Sequence, residues 1–201
     1  MHALKSTLLA VAPLLLIGCT SPHVVHPVSL KPPQIYRFQA RDSGLVAGAE
    51  PYDTPTKASD ALGKDVSRDF TPVQVVLEST TGEKFVIERA KATLTCANGT
   101  TLPAASANTM YQVYRESGVG LAAIGFRSAA ASVADENDKM RYDWTEKEFP
   151  AQAILLPNEH VGGFLYFRGR CRAPGDRLIR VAAHNLANGA TTTLVIELKR
   201  S

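Results

Sequence analysis

No apolar run in this chain is long enough to cross a bilayer as a helix. Leu8 to Ile17 is ten residues, about half of the ~20 that a span needs. Charge of one sign is also scarce. The formal net charge is +3 at pH 7 and the basic residues are spread along the sequence, so nothing marks a nucleic-acid partner. Three cysteines with no Cys-x-x-Cys spacing leave out a dithiol redox motif and paired zinc ligands. Glu116-Ser117-Gly118-Val119-Gly120 is not a Gly-x-Ser-x-Gly elbow, and Gly-x-x-x-x-Gly-Lys and His-Glu-x-x-His are missing. No catalytic, cofactor-binding or metal-ligating residue is therefore assigned.

The N-terminus has the three parts of an export signal. Lys5 and the amine give positive charge, Leu8 to Ile17 an apolar stretch, and Gly18 a small residue before Cys19. Leu16-Ile17-Gly18-Cys19 resembles the bacterial lipobox: an aliphatic residue, a small or aliphatic residue, Gly or Ala, then Cys. The resemblance implies a signal peptide over 1–18, removal of that signal, and acylation of the Cys19 sulfur and its new amine. Several acyl chains give the stable anchoring that one chain does not. By the sorting rule of enteric bacteria, Thr20 is compatible with the outer membrane, with the domain facing the periplasm.

From 19 to 39 the chain carries Pro22, Pro27, Pro32 and Pro33, a composition expected to form a semi-rigid tether. His23 and His26 lie in it, but two histidines do not complete a metal site.

Residues 40–201 read as one domain. Val73, Val75 and Leu77 alternate with Gln74, Val76 and Glu78, and Phe85 with Ile87 is expected to return as the second arm of a hairpin. Asn98-Gly99 and Asn188-Gly189 are favoured type I′ turn pairs. The second is flanked by Arg177 to Ala183 and Thr191 to Leu198, the clearest hairpin in the sequence. Gly162-Gly163 before an aromatic strand predicts a bulge or a close backbone approach. Between about 108 and 148 the alternation fades, and Gly118, Ala122, Gly125 and Ala129 make a small-residue face beside Leu121, Ile124 and Ser128. That pattern predicts a helix packed on its own domain or on a partner. The whole predicts a mainly-β fold, an antiparallel immunoglobulin-like sandwich with a helical insert at about 108–148. The layout is similar to that of uncharacterised envelope lipoproteins pairing such a sheet domain with a helical insert, a resemblance that brings no activity with it.

With Cys19 spent on lipid, Cys96 and Cys171 form an even pair in an exported chain. A bridge would close a loop of about 75 residues, contributing on the order of 4 kcal/mol; two buried free thiols are the alternative. Asp135, Glu136 and Asp138 read as a solvated helix end. Arg168, Arg170 and Arg172 alternate as on one strand, to face an anionic partner or to deter edge-to-edge pairing. The expected function is that of a membrane-anchored, non-enzymatic binding or structural module. Its expected partners are the membrane, through Cys19, and an envelope protein. An anchored hydrolase or small-ligand carrier is the alternative.

Overall fold

The structure, a computed structural model, describes residues 22–117 and 127–199. Cys19, its lipobox and the Gly118–Gly125 part of the small-residue face lie outside them. Ten strands are present: β1 Phe38–Asp42, β2 Leu45–Pro51, β3 Phe70–Ser79, β4 Phe85–Glu88, β5 Thr93–Thr95, β6 Thr101–Ala105, β7 Gln152–Leu155, β8 His160–Arg168, β9 Arg177–Asn185 and β10 Thr191–Leu198. Three α-helices accompany them among the described residues: α1 Pro55–Leu62, α2 Ala107–Tyr114 and α3 Arg127–Lys147.

All ladders between named strands are antiparallel, and they form two sheets. The first runs β1-β2-β3-β8-β6. In the second, β9 carries β10 on one edge and β5 and β4 in tandem on the other, with β7 beyond β4. The strand β6 belongs to both, pairing β5 through Thr101–Pro103 and β8 through Ala104 and Ala105. The fold is mainly β and sandwich-like. The helical insert falls where the alternation fades, as α2 and α3.

Side-chain alternation builds the core. Leu45, Ala47 and Ala49 of β2, Val73, Val75 and Leu77 of β3, and Leu165 and Phe167 of β8 face Phe85, Ile87, Leu94, Ile179, Val181, Leu194 and Ile196 of the second sheet. A second core lies on the outer face of the first sheet. There Phe70, Phe164 and Tyr166 pack beneath Ala58, Leu62, Met110, Met140 and Trp144 of the helices. Helix, sheet and sheet thus form three layers.

Trp144 is the centre of the outer core. Its indole Nε1 donates to Leu62 O at the end of α1 at 2.8 Å, and its own carbonyl accepts from Tyr166 Oη at 3.1 Å. Burial pushes the Tyr166 phenol well above its ordinary value. Helix α2 starts at Ser106, whose Oγ accepts from Thr109 N, the usual satisfaction of an orphan N–H. Glu148, just past α3, accepts from Ala107 N at 2.6 Å and pairs with Arg89 at 2.7 Å.

Four local readings are corrected. First, β4 does not return beside β3. Ser79 Oγ donates to Thr81 O and Glu83 O, turning the chain across to the other sheet, where β4 pairs β7 and β9. Second, neither Asn-Gly pair makes a type I′ turn. Only the glycine of each has positive φ (Gly99 83°, Gly189 72°), whereas the β1–β2 hairpin has it at both Ser43 and Gly44 (48° and 78°), as type I′ requires. Third, the acidic run 135–138 sits within α3, not at its end. Fourth, residues 22–37 are not a free tether, as described next. Gly162-Gly163 resolves as a close approach: a Cβ on Gly163 would lie 2.6 Å from Phe149 N.

Candidate functional site

Two places gather polar chemistry. The first is a latch that holds the N-terminal segment across the helices. His23 Nε2 lies 3.1 Å from Asp143 Oδ2, and Lys147 Nζ donates to the same carboxylate at 2.8 Å and to Ala61 O at 2.7 Å. All three side chains are buried. Glu136 accepts from His23 N, and Lys139, with that N–H, holds the Glu136 carboxyl below its ordinary range. The imidazole fits because α1 ends at Gly63 with φ 68°, where a Cβ would lie 2.7 Å from the His23 ring. Further on, Gln74 Nε2 donates to Ser29 O, and Tyr36 is buried against β2, where Gly48 has no side chain to obstruct it. Every buried polar side-chain atom described has a partner, so this is a satisfied structural lock. No group of three or more metal-capable side chains occurs among the described residues.

The second place is a groove of about 500 Å³ at one pole of the sandwich. Antiparallel pairing makes the pole: β1 begins there opposite the end of β2 (Phe38 against Ala49), β3 begins, β8 ends, β9 begins and β10 ends. Helix α1 also starts there, with Thr54 Oγ1 accepting from Lys57 N and Pro55 in its first turn.

The loop 169–176 forms one wall. Gly169, φ 115°, turns the chain out of β8, its N donating to Asp69 O at 2.7 Å and its O accepting from Thr71 Oγ1 at 2.9 Å. Cys171 then sits at disulfide distance from Cys96 after β5, with Cα atoms 5.2 Å apart. Gly175, φ 134°, passes close to Ala97. The wall is thereby tied at both ends.

Six basic and two acidic side chains line the groove, and both acids are spent. Glu50 pairs with Lys57 and Asp53 with Arg177. The Arg37 guanidinium lies 5.1 Å from the Phe38 ring centroid, a cation–π placement. Lys199 reaches Glu197 at 3.5 Å across an exposed rim. Arg170 and Arg172 have no ion-pair partner among the described residues. No histidine lines the groove, and Ser67 Oγ donates to Asp65 at 2.6 Å.

Of the three sequence-singled arginines, the structure brings Arg170 and Arg172 to the groove. Arg168 is the last residue of β8 and lies outside the lining. They do not alternate on one strand, because Gly169 ends the ladder. Arg37, Lys57, Arg177 and Lys199 were not legible as site residues: they come from four separate places in the chain. His160 and His184 are exposed strand residues.

No protein-family model, curated protein or solved structure matches this chain.

Proposed function

We propose that this chain is a lipid-anchored envelope protein whose domain works by binding an anionic partner, not by catalysis. Cys19 carries the anchor, and the outer membrane, with the domain in the periplasm, is its place. The observation that supports the binding role is the polar groove. Its two acids are neutralised within it, so the guanidiniums of Arg37, Arg170 and Arg172 present uncompensated charge. Guanidiniums offer planar, paired donors to carboxylate, sulfate or phosphate groups. A low-dielectric cleft also raises the local concentration of anions. The Ser67 hydroxyl of the lining is buried and tied with its own N–H to Asp65 in a local turn.

Retention on a heparin column tests this reading. The wild-type chain should elute at higher salt than the Arg170→Glu/Arg172→Glu variant, while Arg168→Glu elutes close to wild type. Equal elution of all three would overturn the groove as the binding face. For the anchor, Cys19→Ser should move from the membrane fraction to the soluble fraction; retention in the membrane would remove the lipidation reading.

A further inference from the structure

We infer that the groove is a site for a phosphate monoester on a small headgroup, carried either by a free sugar or by a lipid. This rests on the reading of the groove as the binding face and adds the class of ligand. Size is the first reason. About 500 Å³ lies within the range of small-molecule pockets.

Charge is the second reason. Arg37 enters from the start of β1, and Arg170 and Arg172 from the tied loop, so cations approach from two walls. A carboxylate brings one negative charge. A phosphate monoester brings about 1.5 to 2 at pH 7, with three acceptor oxygens, enough to engage guanidiniums on both walls at once. Asp176 lies on the same loop but outside the lining.

Construction is the third reason. Arg177 spends a donor on Asp53 and Lys57 is held by Glu50, so both cations are held in place within the lining that they share with the unpaired three. Guanidinium retains further donors in the same plane. Phe38, Pro51 and Pro174 supply apolar wall for the face of a sugar ring. Arg177 and Lys57 are therefore ordered before a ligand arrives, which lowers the ordering cost for those two side chains.

Isothermal titration of the full-length mature chain in detergent tests the class. The probes are glucose 1-phosphate for the free source, dihexanoyl phosphatidic acid below its micelle concentration for the lipid source, and galacturonate as the carboxylate control. Either phosphate probe, or both, should bind at least about tenfold more tightly than galacturonate, the preferred one naming the source. Arg170→Gln/Arg172→Gln should lose at least about tenfold, the effect of one charge-assisted contact, with Arg168→Gln unchanged. Galacturonate binding as tightly as both phosphates would overturn the phosphate class. So would no binding of either phosphate by a protein whose heparin retention still depends on Arg170 and Arg172, a result that leaves the anionic groove standing. Loss of that dependence as well would remove the groove itself.

Discussion

The strands β3 and β8 are buried on both faces, with Gln74 as deeply covered as its neighbours, whereas β9 and β10 alternate between buried and exposed residues. Both sheets contribute to the inner core. What differs is the outside: the first sheet lies under three helices and the N-terminal segment, and the second leaves Val195 40% and Ile154 61% exposed. A sheet face covered by another layer has to be apolar and closely fitted, while a bare one tolerates almost any side chain. The covered sheet is therefore where stability concentrates. The groove opens at the end of the sandwich, where the strands of both sheets terminate.

The comparison breaks hardest at Trp144. Trp144→Ala removes the centre of the outer core and the indole donor to Leu62 O, while the backbone carbonyl that accepts from Tyr166 Oη stays, so unfolding in urea should show a loss of about 3–5 kcal/mol. A loss below about 1 kcal/mol would mean the helices contribute little to the sheet beneath them. Next in size is Gly163→Ala, on the inner face of the same sheet. With Phe149 backbone 2.6 Å from the added methyl, overpacking should cost about 1–3 kcal/mol, read in the same urea midpoint. On the bare sheet, Ile154→Ser should change stability by no more than about 0.5 kcal/mol. A larger loss there would show that the second sheet is covered in solution.

The smallest effect concerns Glu148, where the layers meet. Burial, the largest influence, raises its carboxyl above the ordinary range, against the opposing pull of Ala107 N–H and Arg89. Between the unfolded and the raised folded value, the native state holds a proton that the unfolded chain has lost. Stability from this group is therefore present at lower pH and declines as pH rises through that window. Denaturation of wild type and Glu148→Gln between about pH 4 and 6 should show the wild type losing ground to the variant as pH rises. A difference that grows in favour of wild type would mean the Arg89 pair dominates instead.

Legibility followed the same divide. The last hairpin was readable because β9 and β10 have one wet face, so apolar and polar residues alternate in the sequence itself. The strand β3 showed alternation too, but Gln74 and Glu78 look equally at home facing water or a covering segment. Nothing local distinguishes the two. The crossing of β4 to the other sheet was hidden for a related reason: Thr80-Thr81-Gly82 reads as a hairpin turn, and the hydrogen bonds that Ser79 makes within it carry no sequence signature. The strand β1 was missed because Ser43-Gly44 is a weaker turn signal than Asn-Gly. At the site, Arg170 and Arg172 stood out by spacing, while Arg37 and Arg177 reach the same groove only through the pairing of distant strands. His23 looked like a residue on a spacer, since its partner Asp143 lies 120 positions away.

That separation sets a timetable. A chain made from its N-terminus releases His23 early, yet the carboxylate that receives it follows more than a hundred residues later. Until α3 has arrived, the His23 end of the segment has no carboxylate to meet, whereas Tyr36 and Ser29 find their places on β2 and β3 sooner. The covered sheet is in the same position, because β3 must wait for β8 to pair its inner edge. Contacts this distant in sequence slow folding, so the early half of the molecule spends its emergence exposed. The closing of the latch is a late event, the step by which the N-terminal segment becomes part of the finished domain.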